Sequence, residues 1–268
     1  MEAIEIFGYI GALFIGVSLG LIGGGGSILT VPILVYALAL NPITATAYSL
    51  FVVGTTSLVG SIKNLSKGMV DLRTTFVFAL PALIQTFLTR KYIIHAIPET
   101  LFITGGFVMT KELAIMLFFA FIMLLASFSM IKVKKELCDA QPEPDKETNY
   151  PFLIIQGVVV GTITGLLGAG GGFLIIPALV LLARLPMKKA VATSLLIIAI
   201  NSLIGFLGDV SNLDIDWSFL FLFTLIPVLG IFIGIWLNRF VNGQKLQKAF
   251  GWFVLLMGIY IIYKELSS

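Results

Sequence analysis

Apolar positions in this chain do not recur at the three-and-four spacing of an amphipathic helix or the two-residue spacing of a half-buried strand; they form long unbroken runs. These runs fall at 4–22, 27–40, 44–62, 73–89 and 113–131, and again at 151–167, 173–183, 190–208, 217–237 and 249–263. Most approach the roughly 20 residues a helix needs to cross a bilayer, while 27–40 and 173–183 are too short to span comfortably. The alternation of an outer-membrane barrel is absent. Between the two sets lies a charged, proline-bearing stretch, 132–150, which reads as a solvated linker. Ile97-Pro98-Glu99-Thr100 breaks any helix, and Leu101 to Thr110 predicts two short strands around Gly105-Gly106. The stretch 92–112 is therefore expected to be a folded loop outside the bilayer.

The two sets are copies of one another. With residues 20–35 (GLIGGGGSILTVPILV) set above 165–180 (GLLGAGGGFLIIPALV), nine of sixteen positions are identical without a gap. The same offset of 145 pairs Ala45 with Ala190, Ala47 with Ala192, Ser49-Leu50 with Ser194-Leu195, Ser57 with Ser202, Gly60 with Gly205 and Asp71 with Asp216. An internal repeat of this length governs the reading of the fold.

Composition names the solvent. Of 268 residues 58% are hydrophobic and 12% charged, and the mean hydropathy is +1.06, so most of the chain is in lipid. The acidic start Met1-Glu2-Ala3-Ile4-Glu5 is unlike a cleaved secretory signal, and the first run is expected to remain as a helix. The single cysteine, Cys138, lies in the linker and is expected to be a reduced cytosolic thiol.

Charge then orients the halves. If each half crosses five times, one side collects thirteen basic residues, among them Lys63, Lys67, Arg73, Lys188 and Lys189, against Arg90, Lys91, Lys111 and Lys264 on the other. Merging each short segment with its predecessor, for four crossings per half, splits the same residues eight to nine. The excess of Lys and Arg on cytoplasmic loops favours five plus five, with the linker 132–150 in the cytoplasm and both termini outside. An odd number of crossings turns the second half upside down. The expected fold is an all-α polytopic membrane protein of two inverted-topology repeats, 1–131 (with the external insert 92–112) and 151–268, each of about five helical segments. Their glycine-broken short helices are expected to meet near the bilayer midplane, and inverted repeats are a signature of secondary transporters.

Candidate chemistry sits at the breaks. Gly23, Gly24, Gly25 and Gly26 before Ser27, and Gly168, Gly170, Gly171 and Gly172 before Phe173, interrupt apolar runs where a continuous helix is the default. Glycine costs about 1 kcal/mol relative to alanine inside a helix, and non-helical backbone at membrane depth is tolerated only inside protein or beside water. Freed amides and the positive ends of the short helices can bind an anion without a charged side chain. The competing reading is close helix packing, which is the one preferred for Gly16 and Gly20, Gly157, Gly161 and Gly165, and Gly230 and Gly234. The third segment of each half carries polar groups at equivalent positions, Ser49 with Ser194, Thr56 with Asn201 and Ser57 with Ser202. Single hydroxyls there bond to their own helix, but the recurrence makes them candidates for lining a cavity. Asp71 and Asp216 read as helix N-caps and His95 as a loop residue; Asn64 and Asp209 end the third segments, a place at a cavity mouth being the lesser of two readings. No acidic or basic side chain is expected deep in any segment, which speaks against a buried proton relay.

On the two glycine-rich breaks followed by Pro32 and Pro177, each with an Ala-x-Ala-x-Ser-Leu run after it, the chain resembles the sulfite exporter TauE/SafE family of the TSUP superfamily. The resemblance covers nearly the whole chain. It implies movement of sulfite, thiosulfate, sulfoacetate, sulfolactate or related small organic anions across the cytoplasmic membrane, with Gly23 to Ser27 and Gly168 to Phe173 as the cavity segments. The insert 92–112 has no counterpart in the second half.

The function expected is secondary transport of a small sulfur-containing or organic anion by alternating access; the alternatives are an anion channel and a membrane scaffold or sensor. An enzyme would need a nucleophile with a base, or paired carboxylates, inside the bilayer, and the apolar segments contain neither. The partners expected are a small anionic substrate and the lipid bilayer, with coupling to protons or sodium open; no nucleic acid, metal or cofactor is called for.

Overall fold

The computed structural model describes residues 3–104, 107–131, 150–238, 240 and 243–267. The first half runs α1 (Ala3–Ile22), α2 (24–37), α3 (Pro42–Leu65), α4 (Leu72–Ala96), a hairpin of β1 (Thr100–Thr104) and β2 (Phe107–Thr110), and α5 (Lys111–Ile131). The second runs α6 (Tyr150–Leu167), α7 (Gly172–Leu181), α8 (Met187–Asp209), α9 (Trp217–Leu237) and α10 (Gly243–Ser267). Among the described residues six helices, α3, α4, α5, α8, α9 and α10, are long and apolar enough to cross a membrane. The short α2 is irregular throughout: a 3-10 turn Gly24–Leu29, one α-turn Thr30–Pro32 and a π turn Ile33–Ala37.

Local signals set the helix starts. Asn41 caps α3 by accepting from the Ile43 amide, with Pro42 at the first helical position. Asp71 accepts from Thr74 N at α4, and Asp216 accepts from Phe219 N at α9. Both caps sit 145 residues apart, as do their acceptors' donors. A second symmetric pair ties these caps to the opposite half: the Asp71 amide donates to Thr193 Oγ1 at 3.0 Å, and the Asp216 amide donates to Tyr48 OH at 2.7 Å.

Packing follows the same exchange rule. α1 lies along α9 and α6 along α4; α4 packs on α8 and α9 on α3; α3 pairs with α8 and α5 with α10. The spaced glycines make the closest of these contacts. A Cβ on Gly16 would stand 2.0 Å from the Pro227 carbonyl oxygen, and one on Gly234 2.2 Å from that of Val17. Gly157 and Gly161 press likewise on the Phe78 and Ala82 carbonyls. Small residues here let backbones touch, which drives helix association where lipid removes the hydrophobic force.

The contacts also give direction. Gly54 meets Leu203 while Gly205 meets Leu50, so the equivalent helices α3 and α8 are antiparallel; Gly251 meets Met130 while Gly258 meets Leu124, so α5 and α10 are antiparallel too. The repeats are inverted. Gly16 faces Pro227 and Gly20 faces Ile231, so α1 runs parallel to α9. α9 in turn runs parallel to α3, since Tyr48 stacks on Phe219 and Gly60 meets Ile231. α1 and α3 therefore point the same way, and the chain reverses between them through α2. That excludes the count in which α2 merely extends α1.

Two expectations change. The fourth segment does not stop at residue 89: α4 continues through a π turn, Thr89–Ile93, to Ala96. It ends where Ile97 turns extended ahead of Pro98. His95 is thus in the last turn of a helix. The hairpin is present as expected, antiparallel with Thr100 opposite Thr110 and Thr104 opposite Phe107. The linker and Cys138 lie outside the described residues.

Candidate functional site

The two glycine breaks meet between the halves. A Cβ on Gly24 would stand 2.1 Å from Cα of Gly172, and one on Gly172 2.1 Å from Cα of Gly24, so the two backbones are in direct contact. Gly170 beside this point abuts Val53 and Ile198, near the middles of α3 and α8. The contact therefore lies halfway along the long helices that bracket it. Gly23 adopts φ 76°, ψ −126°, and Gly168, Gly170 and Gly171 have φ of 67°, 66° and 67°; side chains disfavour both regions. The breaks are held by the opposite half in a reciprocal way, Gly23 against Val191 and Gly168 against Thr46, positions again 145 apart. The first bonds back into the second turn come from the Leu174 and Ile175 amides to the Gly171 carbonyl. The amides of Gly172 and Phe173 just before them, in the first turn of α7, lack intrahelical partners at the positive end of that helix.

The polar side chains of α3 and α8 sort into two groups. Thr46, Ser61 and Ser194 donate to the carbonyls of Ile43, Leu58 and Val191, the usual self-bonding of a hydroxyl in a helix. Ser27 likewise donates to the Gly24 carbonyl at 2.7 Å and closes the first turn. Ser49, Thr56, Ser57, Asn201 and Ser202 are fully buried and have no hydrogen-bond partner among the described residues. Asn201 leaves both its amide nitrogen and its oxygen unpartnered. A buried amide without partners costs several kcal/mol in a setting that cannot solvate it, so five such side chains on two facing helices are not explained by packing. Ser202 Oγ lies 3.1 Å from the Cβ position of Gly170, and the unpartnered Thr164 Oγ1 of α6 lies 2.1 Å from that of Gly171. Ser194 Oγ stands 3.2 Å from that of Gly23. Phe173 packs in a hydrophobic cluster with Leu167 and Ala169.

Charge is present in the interior after all. Arg90 and Asp209 are both fully buried, with Nη1 3.3 Å from Oδ2. Arg90 Nη1 also donates to Thr46 Oγ1 at 3.1 Å, and the His95 Nδ1–H donates to the Arg90 carbonyl at 3.0 Å. This overturns the expectation of uncharged segments. Its cause is the longer α4, which carries Arg90 inside the helix instead of into a loop. The proline stop at Ile97-Pro98 was the signal: a helix running up to it places Arg90 nearly two turns from its end. Asp209, at the end of the third segment, is sealed against α4 and not at a cavity mouth. Asn64, its equivalent in α3, is buried without an ionic partner among the described residues. Also among the described residues, no group of three or more His, Cys, Asp or Glu side chains could hold a metal ion.

Comparison with known proteins gives a consistent result. A family model described as sulfite exporter TauE/SafE matches residues 9–261. A probable membrane transporter protein of Xylella fastidiosa is 28% identical over 257 residues, 95% of this chain and 93% of its own. The probable membrane transporter protein YunE of Bacillus subtilis is 27% identical over 271 residues, covering 92% and 93% of the two chains. A probable membrane transporter protein of Methanocaldococcus jannaschii is 35% identical over 117 residues, covering 41% and 44%. No solved structure matches the chain significantly.

Proposed function

The chain belongs to the sulfite exporter TauE/SafE family of membrane transporters, and from that premise we propose that it moves a small sulfur-containing or organic anion by alternating access. The observation that carries this reading is the set of buried groups on α3 and α8 without a hydrogen-bond partner among the described residues, Ser49, Thr56, Ser57, Asn201 and Ser202, of which Ser202 lies beside Gly170 in the second glycine break. Hydroxyls, an amide and free backbone donors at a helix start suit a partly desolvated oxyanion of the sulfite, thiosulfate or sulfonate class. Alternating access is favoured over an open channel because Gly24 and Gly172 touch and close the centre, while the inverted halves supply two equivalent ways of opening it. By the basic-residue count the linker 132–150 is cytoplasmic and both termini are outside, in the cytoplasmic membrane.

The test is uptake of radiolabelled sulfite, thiosulfate and sulfoacetate into proteoliposomes, with and without a pH gradient. Flux of at least one of these, competed by unlabelled anion and abolished by Gly25→Leu and by Gly170→Leu, is expected. No flux of any anion in the wild type would sink the reading. A dependence on the pH gradient would establish proton coupling.

A further inference from the structure

The inverted repeat makes the Arg90–Asp209 pair unusual, because the fold builds the same junction twice. Where α4 meets α8, Thr46, Thr89, Arg90, Gly208 and Asp209 come together; the equivalent junction of α9 with α3 holds Val191, Gly234, Ile235, Lys63 and Asn64. Packing at one end is thus achieved without an ion pair, so the architecture does not require one at the other. Gly208 makes the room: a Cβ there would lie 2.9 Å from Cβ of Arg90. The backbone at Arg90 is a π turn, Thr89–Ile93, whereas the corresponding stretch of α9 is regular helix up to Leu237; single π turns gather at functional sites.

The guanidinium is only partly used. Nη1 reaches Thr46 and Asp209, but Nε and Nη2 are buried without a hydrogen-bond partner among the described residues. Those two nitrogens form the side-on edge of the guanidinium, the edge whose spacing matches two oxygens of a carboxylate, sulfonate or sulfite. Thr46, bonded to Nη1, connects Arg90 to the second glycine break, since its carbonyl oxygen lies 2.2 Å from the Cβ position of Gly168. The Thr89 hydroxyl next to Arg90 is also buried and unpartnered.

We infer that Arg90 is the charge-recognising residue for the transported oxyanion, which it binds through Nε and Nη2, and that Asp209 is the internal anion holding the guanidinium between transport cycles. An oxyanion arriving at Nε and Nη2 competes with Asp209 for the guanidinium charge and weakens the hold of Asp209 on Nη1, which unpins α8 from α4 at one end of the path only. This rests on the transport reading and assigns that site its charged partner.

The experiment uses full-length protein in proteoliposomes with labelled thiosulfate and sulfite, and in detergent by thermal melting with and without thiosulfate. Three variants separate recognition from structure. Asp209→Asn removes the competing charge beside Arg90, so KM for thiosulfate falls by about tenfold and turnover slows. Arg90→Lys keeps the charge but not the fork, and raises KM by about ten- to a hundredfold. The double variant Arg90→Met with Asp209→Leu removes both ions together; buried pairs replaced in this way generally leave the fold intact. It is expected to melt like the wild type yet lose both flux and the thiosulfate-induced melting shift. A double variant that transports with wild-type KM overturns the inference, as does an unchanged KM in Asp209→Asn. If the double variant fails to reach the membrane, the KM values of the two single variants decide. Wild-type protein that carries no anion sinks the transport reading and this inference with it, whereas normal transport in all three variants sinks this inference alone.

Discussion

At the scale of single residues the polar groups of α3 and α8 divide by whether their own helix satisfies them. Ser194 and Thr46 are bonded within the helix; Asn201 is not, and has neither donor nor acceptor engaged. Leucine is close to asparagine in size, so Asn201→Leu removes two unpartnered polar atoms without opening a cavity. It should raise stability in detergent by about 1–3 kcal/mol while abolishing anion flux. A variant that is destabilised but still transports would make Asn201 a structural residue. Positions such as Asn201 and Ser202 were legible in the sequence because an amide in an apolar run, repeated as a polar pair at offset 145, has few other reasons to be there. The Arg90–Asp209 pair was not legible in the same way. Its partners are far apart in the chain, and the repeat that singled out the other candidate residues pairs them with Ile235 and Asn64, which carry no charge.

At the scale of elements the sequence spoke through two kinds of glycine. Those spaced by four lie at helix contacts, and the equivalent positions Gly16 and Gly161 do equivalent work, one against α9 and the other against α4. Gly16→Leu and Gly161→Leu should each cost about 3 kcal/mol or more through overpacking against backbone, read as loss of folded protein after detergent extraction. Comparable losses in both would follow from the symmetry, and tolerance of either would break it. The caps offer a milder comparison. Asp71→Ala and Asp216→Ala should each lower stability by about 1 kcal/mol, the usual cost of an N-cap, and the losses should add because the caps lie at opposite ends of the bundle. The clustered glycines at 23–26 and 168–172 gave the positions of the two breaks but not that they touch. Contact between Gly24 and Gly172 depends on how the halves dock, and no local spacing encodes it.

At the scale of the whole molecule the inversion is the testable property. Ser66, between α3 and α4, and Ser211, between α8 and α9, occupy equivalent positions and are both exposed. In a background with Cys138→Ser, cysteines introduced as Ser66→Cys and Ser211→Cys should react with a membrane-impermeant maleimide from opposite faces, Ser66→Cys from the cytoplasmic side. Labelling of both from one face would mean parallel halves. The inversion was already readable from the basic residues, because counting them by side rewards only an odd number of crossings.

The exchange of partners between halves bears on how the protein is made. α1 leaves the ribosome long before the helix it lies along, α9; α4 likewise precedes its partner α6, and α3 precedes α8. During synthesis the early helices must wait in the bilayer with their glycine faces uncovered, and no half can complete its own interior. The order of translation is therefore not the order of assembly. Neither repeat is an autonomous body, and a chain severed in the linker should regain its shape only when both pieces share a membrane.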